Sequence, residues 1–73
     1  MSVYEVKTEV TGSVWKIVTR VGQTLEPGDT IMIIESMKME IPVIAEDGGT
    51  IKEFTVEEGR SVAEGQTVAR LET

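Results

Sequence analysis

The 73-residue chain contains no cysteine and no histidine. Without cysteine there is no disulfide framework, no thiol chemistry and no Cys-built zinc site. Without histidine the commonest general base and the commonest metal ligand are both missing. Catalysis would have to rest on carboxylates, lysines and hydroxyls, so the chain reads as a non-enzyme, with no catalytic and no metal-ligating residue assigned. The acidic stretches around Glu46-Asp47 and Glu57-Glu58 lack EF-hand spacing, which argues against calcium. Cations are few as well: 7 Lys and Arg against 13 Asp and Glu give a net charge of -6. A nucleic-acid partner needs the opposite surplus. The longest apolar run, Ile31-Met32-Ile33-Ile34, is far too short to span a bilayer, and Met1-Ser2-Val3-Tyr4-Glu5 lacks the basic and apolar parts of a secretory signal. No membrane partner and a cytoplasmic location are the resulting expectations. The length fits one small domain over residues 1–73, near the size at which a single core is only just sufficient.

What is present is a repeat. Sliding the chain by 37 positions aligns residues 3–35 with residues 40–72 without a gap, giving seven identities over 33 pairs. Gly12, Gly22 and Gly28 fall on Gly49, Gly59 and Gly65, and Val6, Glu9, Thr30 and Glu35 fall on Val43, Glu46, Thr67 and Glu72. Apolar positions agree too: Tyr4 with Ile41, Val14 with Ile51, Ile17 with Phe54, Leu25 with Val62, Ile31 with Val68, Ile34 with Leu71. Three coincident glycines and matching apolar positions make chance a poor explanation.

Val, Ile, Thr and aromatic residues predict strands over 3–7, 13–18 and 30–35 and over their counterparts 40–44, 50–56 and 67–72, with Leu25 and Val62 each marking a short extra strand. Glu26-Pro27-Gly28-Asp29 has the type II turn pattern, and its twin Ala63-Glu64-Gly65-Gln66 keeps the glycine. In Ile51-Lys52-Glu53-Phe54-Thr55-Val56 the apolar parity changes, which predicts a bulge or a bend. No helical spacing persists over ten residues without a Gly or Pro break. The fold class expected is all-β: a flattened barrel or sandwich of two four-stranded antiparallel sheets with a pseudo-two-fold repeat. Its two duplicated four-strand halves would pack face to face, bury a shared core and leave few free edges. Trp15 is ambiguous, since its size favours partial burial while its twin Lys52 favours an outward position.

The seam between the halves is Ser36-Met37-Lys38-Met39, expected to form a tight hairpin joining Glu35 to Glu40. Two-residue hairpin turns favour Asn-Gly and similar pairs, so Met37-Lys38 is a poor turn sequence, and two exposed methionines forgo apolar burial that a small core could use. Methionine suits adaptable recognition surfaces. By the repeat, Lys38 is equivalent to Met1, so the hairpin should lie at the pole opposite the chain ends. Glu35 and Glu40 would face each other as a like-charged cross-strand pair.

Glu35-Ser36-Met37-Lys38-Met39-Glu40 closely resembles the attachment motif of the biotinyl/lipoyl attachment domain family, where a lysine between two methionines caps a hairpin. The resemblance extends to the glycine-punctuated duplication, the Glu26-Pro27-Gly28-Asp29 turn and the Asp47-Gly48-Gly49-Thr50-Ile51 stretch. It implies a biotin carrier in which Lys38 forms an amide with biotin, installed by a biotin protein ligase using ATP. Met37 and Met39 would be read by the ligase and by partner active sites, with Glu35, Ser36 and Glu40 as further recognition candidates. The implied partners are biotin carboxylase and carboxyltransferase subunits or domains, between which the tethered group shuttles a carboxyl, and the domain by itself is expected to be monomeric. The commonest form of the motif has Ala where this chain has Ser36. The gapless repeat leaves no room for the protruding thumb of some acetyl-CoA carboxylase carriers, so the likeness is to thumbless carriers and short free-standing attachment proteins. A lipoyl carrier, or one accepting both groups, is the alternative; lipoyl hairpins usually carry Asp before the lysine and Ala after it, and this chain has Met at both places. An unmodified all-β interaction module is a third reading.

Overall fold

The computed structural model describes residues 2–73; Met1, the repeat twin of Lys38, lies outside them. The strands are β1 (Val3–Lys7), β2 (Gly12–Ile17), β3 (Thr24–Leu25), β4 (Thr30–Ser36), β5 (Met39–Ile44), β6 (Gly49–Phe54), β7 (Ser61–Val62) and β8 (Thr67–Glu72). They form two antiparallel four-stranded sheets, in the orders β1-β8-β6-β3 and β5-β4-β2-β7. The sandwich expectation holds, and no closed barrel forms.

One expectation is corrected. The two halves do not each make a sheet: every sheet takes two strands from residues 3–35 and two from residues 40–72. β1 pairs with β8 and β5 with β4, so the halves are laced together at both sheets. A strand's side-chain alternation fixes which face is buried but not which neighbour it pairs with, and the interlaced pairing makes the seam between the halves a ladder rather than a layer boundary. The molecule measures 36 × 17 × 17 Å along its principal axes.

The core obeys the repeat. Val6, Val14, Leu25, Ile31, Met32 and Ile34 are buried, and so are their twins Val43, Ile51, Val62, Val68, Ala69 and Leu71. Each half alone would expose its apolar set; together they remove both from water, the dominant favourable term for so small a fold. The remaining core residue, Ala45, has buried Thr8 as its twin. That polar side chain is satisfied locally, its hydroxyl donating to the Val10 carbonyl at 2.9 Å.

The irregularity predicted in β6 is present, and β2 carries an unpredicted twin of it. The ladder skips a residue between Ile51 and Glu53 against β8, and between Val14 and Lys16 against β4. The skipped residues are Lys52 and Trp15. Trp15 is accordingly an outward bulge residue, 44% exposed, and its twin was the better guide to its position. Both predicted turns close, with Asp29 N–H donating to the Glu26 carbonyl at 3.0 Å and Gln66 N–H to the Ala63 carbonyl at 2.9 Å. Gly28 supplies the positive φ of 94° that a type II turn requires and a side chain resists.

Candidate functional site

β4 and β5 run as a regular ladder to the pairs Glu35–Glu40 and Ser36–Met39, leaving a two-residue turn of Met37 and Lys38. Both turn residues have positive φ, 51° and 65°, the sign pattern of a type I′ turn. They are the only non-glycine residues with positive φ among those described. The twist of a hairpin demands this backbone, and Met37 and Lys38 adopt it in spite of their Cβ atoms, at a cost of roughly 1–2 kcal/mol per residue. The sequence-level doubt about the turn is therefore a real strain located at the candidate attachment residue.

All six site residues named from the sequence meet here. Met37 is 92% exposed and Met39 63%, and Lys38, Glu35 and Glu40 are exposed as well. Among the described residues Lys38 enters no ion pair and no hydrogen bond, so its amine projects freely from the tip. Glu35 and Glu40 do face each other across the ladder. Ser36 differs from the rest: it is half-buried, and its hydroxyl donates to the Thr11 carbonyl at 2.8 Å.

That bond leads to residues that the sequence reading missed. Thr11 Oγ1 accepts the Glu64 N–H at 3.0 Å, tying the 8–11 loop to the turn before β8. The loop is anchored below by buried Thr8, whose N–H donates to the Gln66 carbonyl at 3.0 Å and whose own carbonyl accepts the Gly65 N–H at 2.8 Å. Gly12 lies under the hairpin, where a Cβ would collide with the Glu35 carbonyl. A signal for this support was present in the repeat, because Thr8 and Thr11 stand where the other half has Ala45 and Gly48. At that second pole the fold is pinned differently, by Tyr4 Oη donating to the Gly48 carbonyl at 2.6 Å. Burial raises the Tyr4 phenol above its ordinary pKa of 10.0.

The pole with the hairpin comprises residues 8–13, 36–39 and 61–66, and the other comprises 24–29 and 45–50 with Ser2 and Thr73. Ser2 and Thr73 exchange both backbone hydrogen bonds at the position two-fold equivalent to Ser36–Met39. The described chain ends thus lie opposite Lys38, as the repeat required. A concavity of about 930 Å³ runs between β1 and β5 and does not include the hairpin. No cluster of potential metal ligands and no helix long and apolar enough to cross a membrane occurs among the described residues. The feature left with distinctive chemistry is a free primary amine on a strained, rigidly supported turn.

Residues 3–71 match the family described as "Biotin-requiring enzyme". The chain belongs to that family. It is 39% identical over 66 residues to the biotin/lipoyl attachment protein of Bacillus subtilis, covering 90% of each chain. It is 35% identical over 65 residues to the biotinylated protein TB7.3 homolog of Mycobacterium leprae, covering 89% of this chain and 92% of that one. Among solved structures it superposes on the Kluyveromyces lactis urea carboxylase with a TM-score of 0.91 and 35% identity, over 97% of this chain and 6% of that enzyme. The same fold thus occurs both in proteins of this chain's length and as a small part of a large carboxylase.

Proposed function

We propose that this chain is a biotin carrier domain whose attachment residue is Lys38. The observation that carries the reading is the combination of an exposed, unpaired Lys38 amine with positive φ at the tip of a two-residue hairpin, on a doubled β-sandwich of the biotin-requiring family. The residues fit the group. An acyl arm joined to Lys38 Nζ meets no wall, breaks no ion pair and leaves the ladder below intact.

In the ligation the Lys38 amine attacks the biotin carboxyl carbon, which the biotin protein ligase has activated with ATP as an acyl-adenylate. The carbon–oxygen bond to AMP breaks, AMP departs, the nitrogen loses a proton and a neutral amide remains. Lys38 would hold the biotin, which would supply the carboxyl-carrying chemistry. The protein's own contribution is presentation. The Ser36–Thr11 bond and the close approach of Gly12 hold the hairpin base, while the tip stays free of contacts. A long tether on a fixed base replaces diffusion by a high effective concentration at both active sites. Met37 and Met39 are the apolar contacts read by ligase and partners. Glu35 and Glu40 form an acidic collar at the base, and Ser36 is a positioning residue. The carrier works as a monomer beside biotin carboxylase and carboxyltransferase subunits or domains in the cytoplasm, where ATP is at hand for ligation.

The test is intact-mass analysis and avidin capture of the chain co-expressed with a biotin protein ligase, beside Lys38→Arg. A single biotinyl adduct on the parent and none on Lys38→Arg is the expected result. A lipoyl adduct in place of biotin when both ligases are present assigns the lipoyl carrier instead, and an unmodified parent refutes both.

A further inference from the structure

The repeat equates the two sheets in backbone and core but not on their outer faces. On the β1-β8-β6-β3 sheet the ladder sets Glu5, Arg70 and Glu53 side by side. Arg70 Nη1 lies 2.7 Å from Glu53 and Nη2 lies 3.3 Å from Glu5, a solvated ion-pair row. The two-fold equivalents on the other sheet are Pro42, Ile33 and Lys16, also aligned by the ladder. Beside them stand Trp15, 44% exposed, and Ile44, 42% exposed, where the first sheet has Lys52 and Lys7. Lys16 Nζ lies 5.9 Å from the Trp15 ring centroid, so even the cation of this face lies over an aromatic surface.

One sheet therefore ends in charge and the other in a Trp-Ile-Pro patch, within one fold that tolerates both. The difference is not needed for packing, because the buried residues beneath are twinned. The apolar face belongs to the sheet that carries Lys38. Its Ile33–Pro42 pair lies two ladder positions below Glu35–Glu40, about 7 Å along the strands. An apolar patch continuous with the attachment hairpin marks a partner surface.

We propose, resting on the carrier reading above, that the outer face formed by Trp15, Lys16, Ile33, Pro42 and Ile44 docks the biotin protein ligase that acylates Lys38. The occupant follows from reach. A bare lysine side chain extends only about 6 Å from its Cα. The ligase must therefore bring its reacting centre close to the hairpin and cover the surface flanking it. A carboxylase meets the same lysine at the end of a longer acyl arm and can act from farther away. The ligase surface that fits is apolar opposite Trp15 and Ile33 and basic opposite the Glu35–Glu40 collar, complementary to a chain of net charge -6. Pro42, with no N–H on the edge strand β5, keeps that sheet edge from recruiting another strand.

The fold supplies its own neutral replacement. Trp15→Lys, Lys16→Glu, Ile33→Arg and Pro42→Glu together copy the residues found at the equivalent positions of the other sheet. Biotinylation is measured as initial rate against concentration of unmodified chain, with a ligase that modifies the parent. The expected result is a KM raised about tenfold or more with kcat within about twofold, as for loss of a Trp-centred contact. Circular dichroism and a melting curve establish that the fold is kept; if the fourfold variant does not fold, Trp15→Lys and Ile33→Arg are assayed singly and are expected to raise KM about threefold each. Glu53→Gln on the charged face is the control and leaves both constants unchanged. An unaltered KM in a folded variant overturns the docking proposal while leaving the carrier reading intact, whereas failure of the parent to be biotinylated overturns the carrier reading itself. Sedimentation showing that the parent dimerises and that Trp15→Lys dissociates it assigns the face to a second copy, and also overturns the proposal.

Discussion

Replacing Met37-Lys38 by Asn-Gly should make the protein more stable while removing the proposed attachment site. Both residues lie in the left-handed region, at φ 51° and 65°. A side chain there costs roughly 1–2 kcal/mol from crowding of Cβ against the following carbonyl. Asn tolerates that backbone and Gly has no Cβ, and the pair is the commonest type I′ sequence. Against the relief stands the extra freedom that Gly gives the unfolded chain, about 0.5–1 kcal/mol. Nothing is lost in burial, since Met37 is 92% exposed and Lys38 makes no hydrogen bond or ion pair among the described residues. Gly removes the whole of its position's cost and Asn only part of its own, so the net gain is about 1–2 kcal/mol. Unfolding entropy of about 2.1 cal/mol/K per residue gives roughly 0.15 kcal/mol/K for 73 residues, so Tm should rise by about 6–13 °C.

The assay is differential scanning calorimetry of the two unmodified proteins at one pH and concentration. Met37→Asn alone, which keeps Lys38, separates strain from attachment: it should gain about 1 kcal/mol and be biotinylated more slowly. An Asn-Gly variant that melts at or below the parent temperature would refute the claim that the turn is strained.

Three further outcomes follow from the same geometry. Ser36→Ala removes the hydroxyl that donates to Thr11 and should lower stability by about 0.5–1 kcal/mol, read by urea unfolding, with biotinylation retained because Lys38 is untouched. Gly12→Ala drives a Cβ into the Glu35 carbonyl and should cost about 1–3 kcal/mol, with amide shifts of Glu35 and Ser36 moving in NMR spectra. Burial raises the Tyr4 phenol, so spectrophotometric titration of this single tyrosine should run above pH 10.0 in the folded protein; its contribution to stability is complete below the unfolded pKa and fades as pH rises through the folded one.

How far the sequence could be read depends on the range of the interaction. The strands, the two type II turns and the β6 bulge each reflect a few neighbouring residues and were legible from Val/Ile/Thr runs, Pro27-Gly28 and the parity break at Ile51–Phe54. Pairing was not. Nothing local in β1 says that it joins β8 from the other half, because alternation marks a buried face and not a neighbour. The site shows the same division. Lys38, Met37 and Met39 were singled out as candidates from six adjacent residues, but Ser36 meets Thr11 across 25 positions, and only the fold brings them together. Trp15 shows how the repeat helps: hydrophobicity alone favoured burial, while its twin Lys52 indicated the outward bulge that is present.

The most informative positions are those where a symmetric frame departs from its own symmetry. The core departs from it least, because both halves must bury equivalent faces in one small interior. Thr8 and Thr11 depart from Ala45 and Gly48 beneath the hairpin, Trp15 and Ile33 depart from Lys52 and Arg70 beside it, and the strained residues lie at its tip. These particular departures lie at the pole and on the face that carry Lys38. A turn selected for folding would have been Asn-Gly, which this backbone already accommodates. Retaining Met-Lys there opposes stability, and the interlaced, twinned core supplies the rigidity against which that strain is held. On the carrier reading proposed above, function in this fold is marked by the cost it imposes, at a lysine without hydrogen bond or ion pair among the described residues, on a base that is firmly pinned.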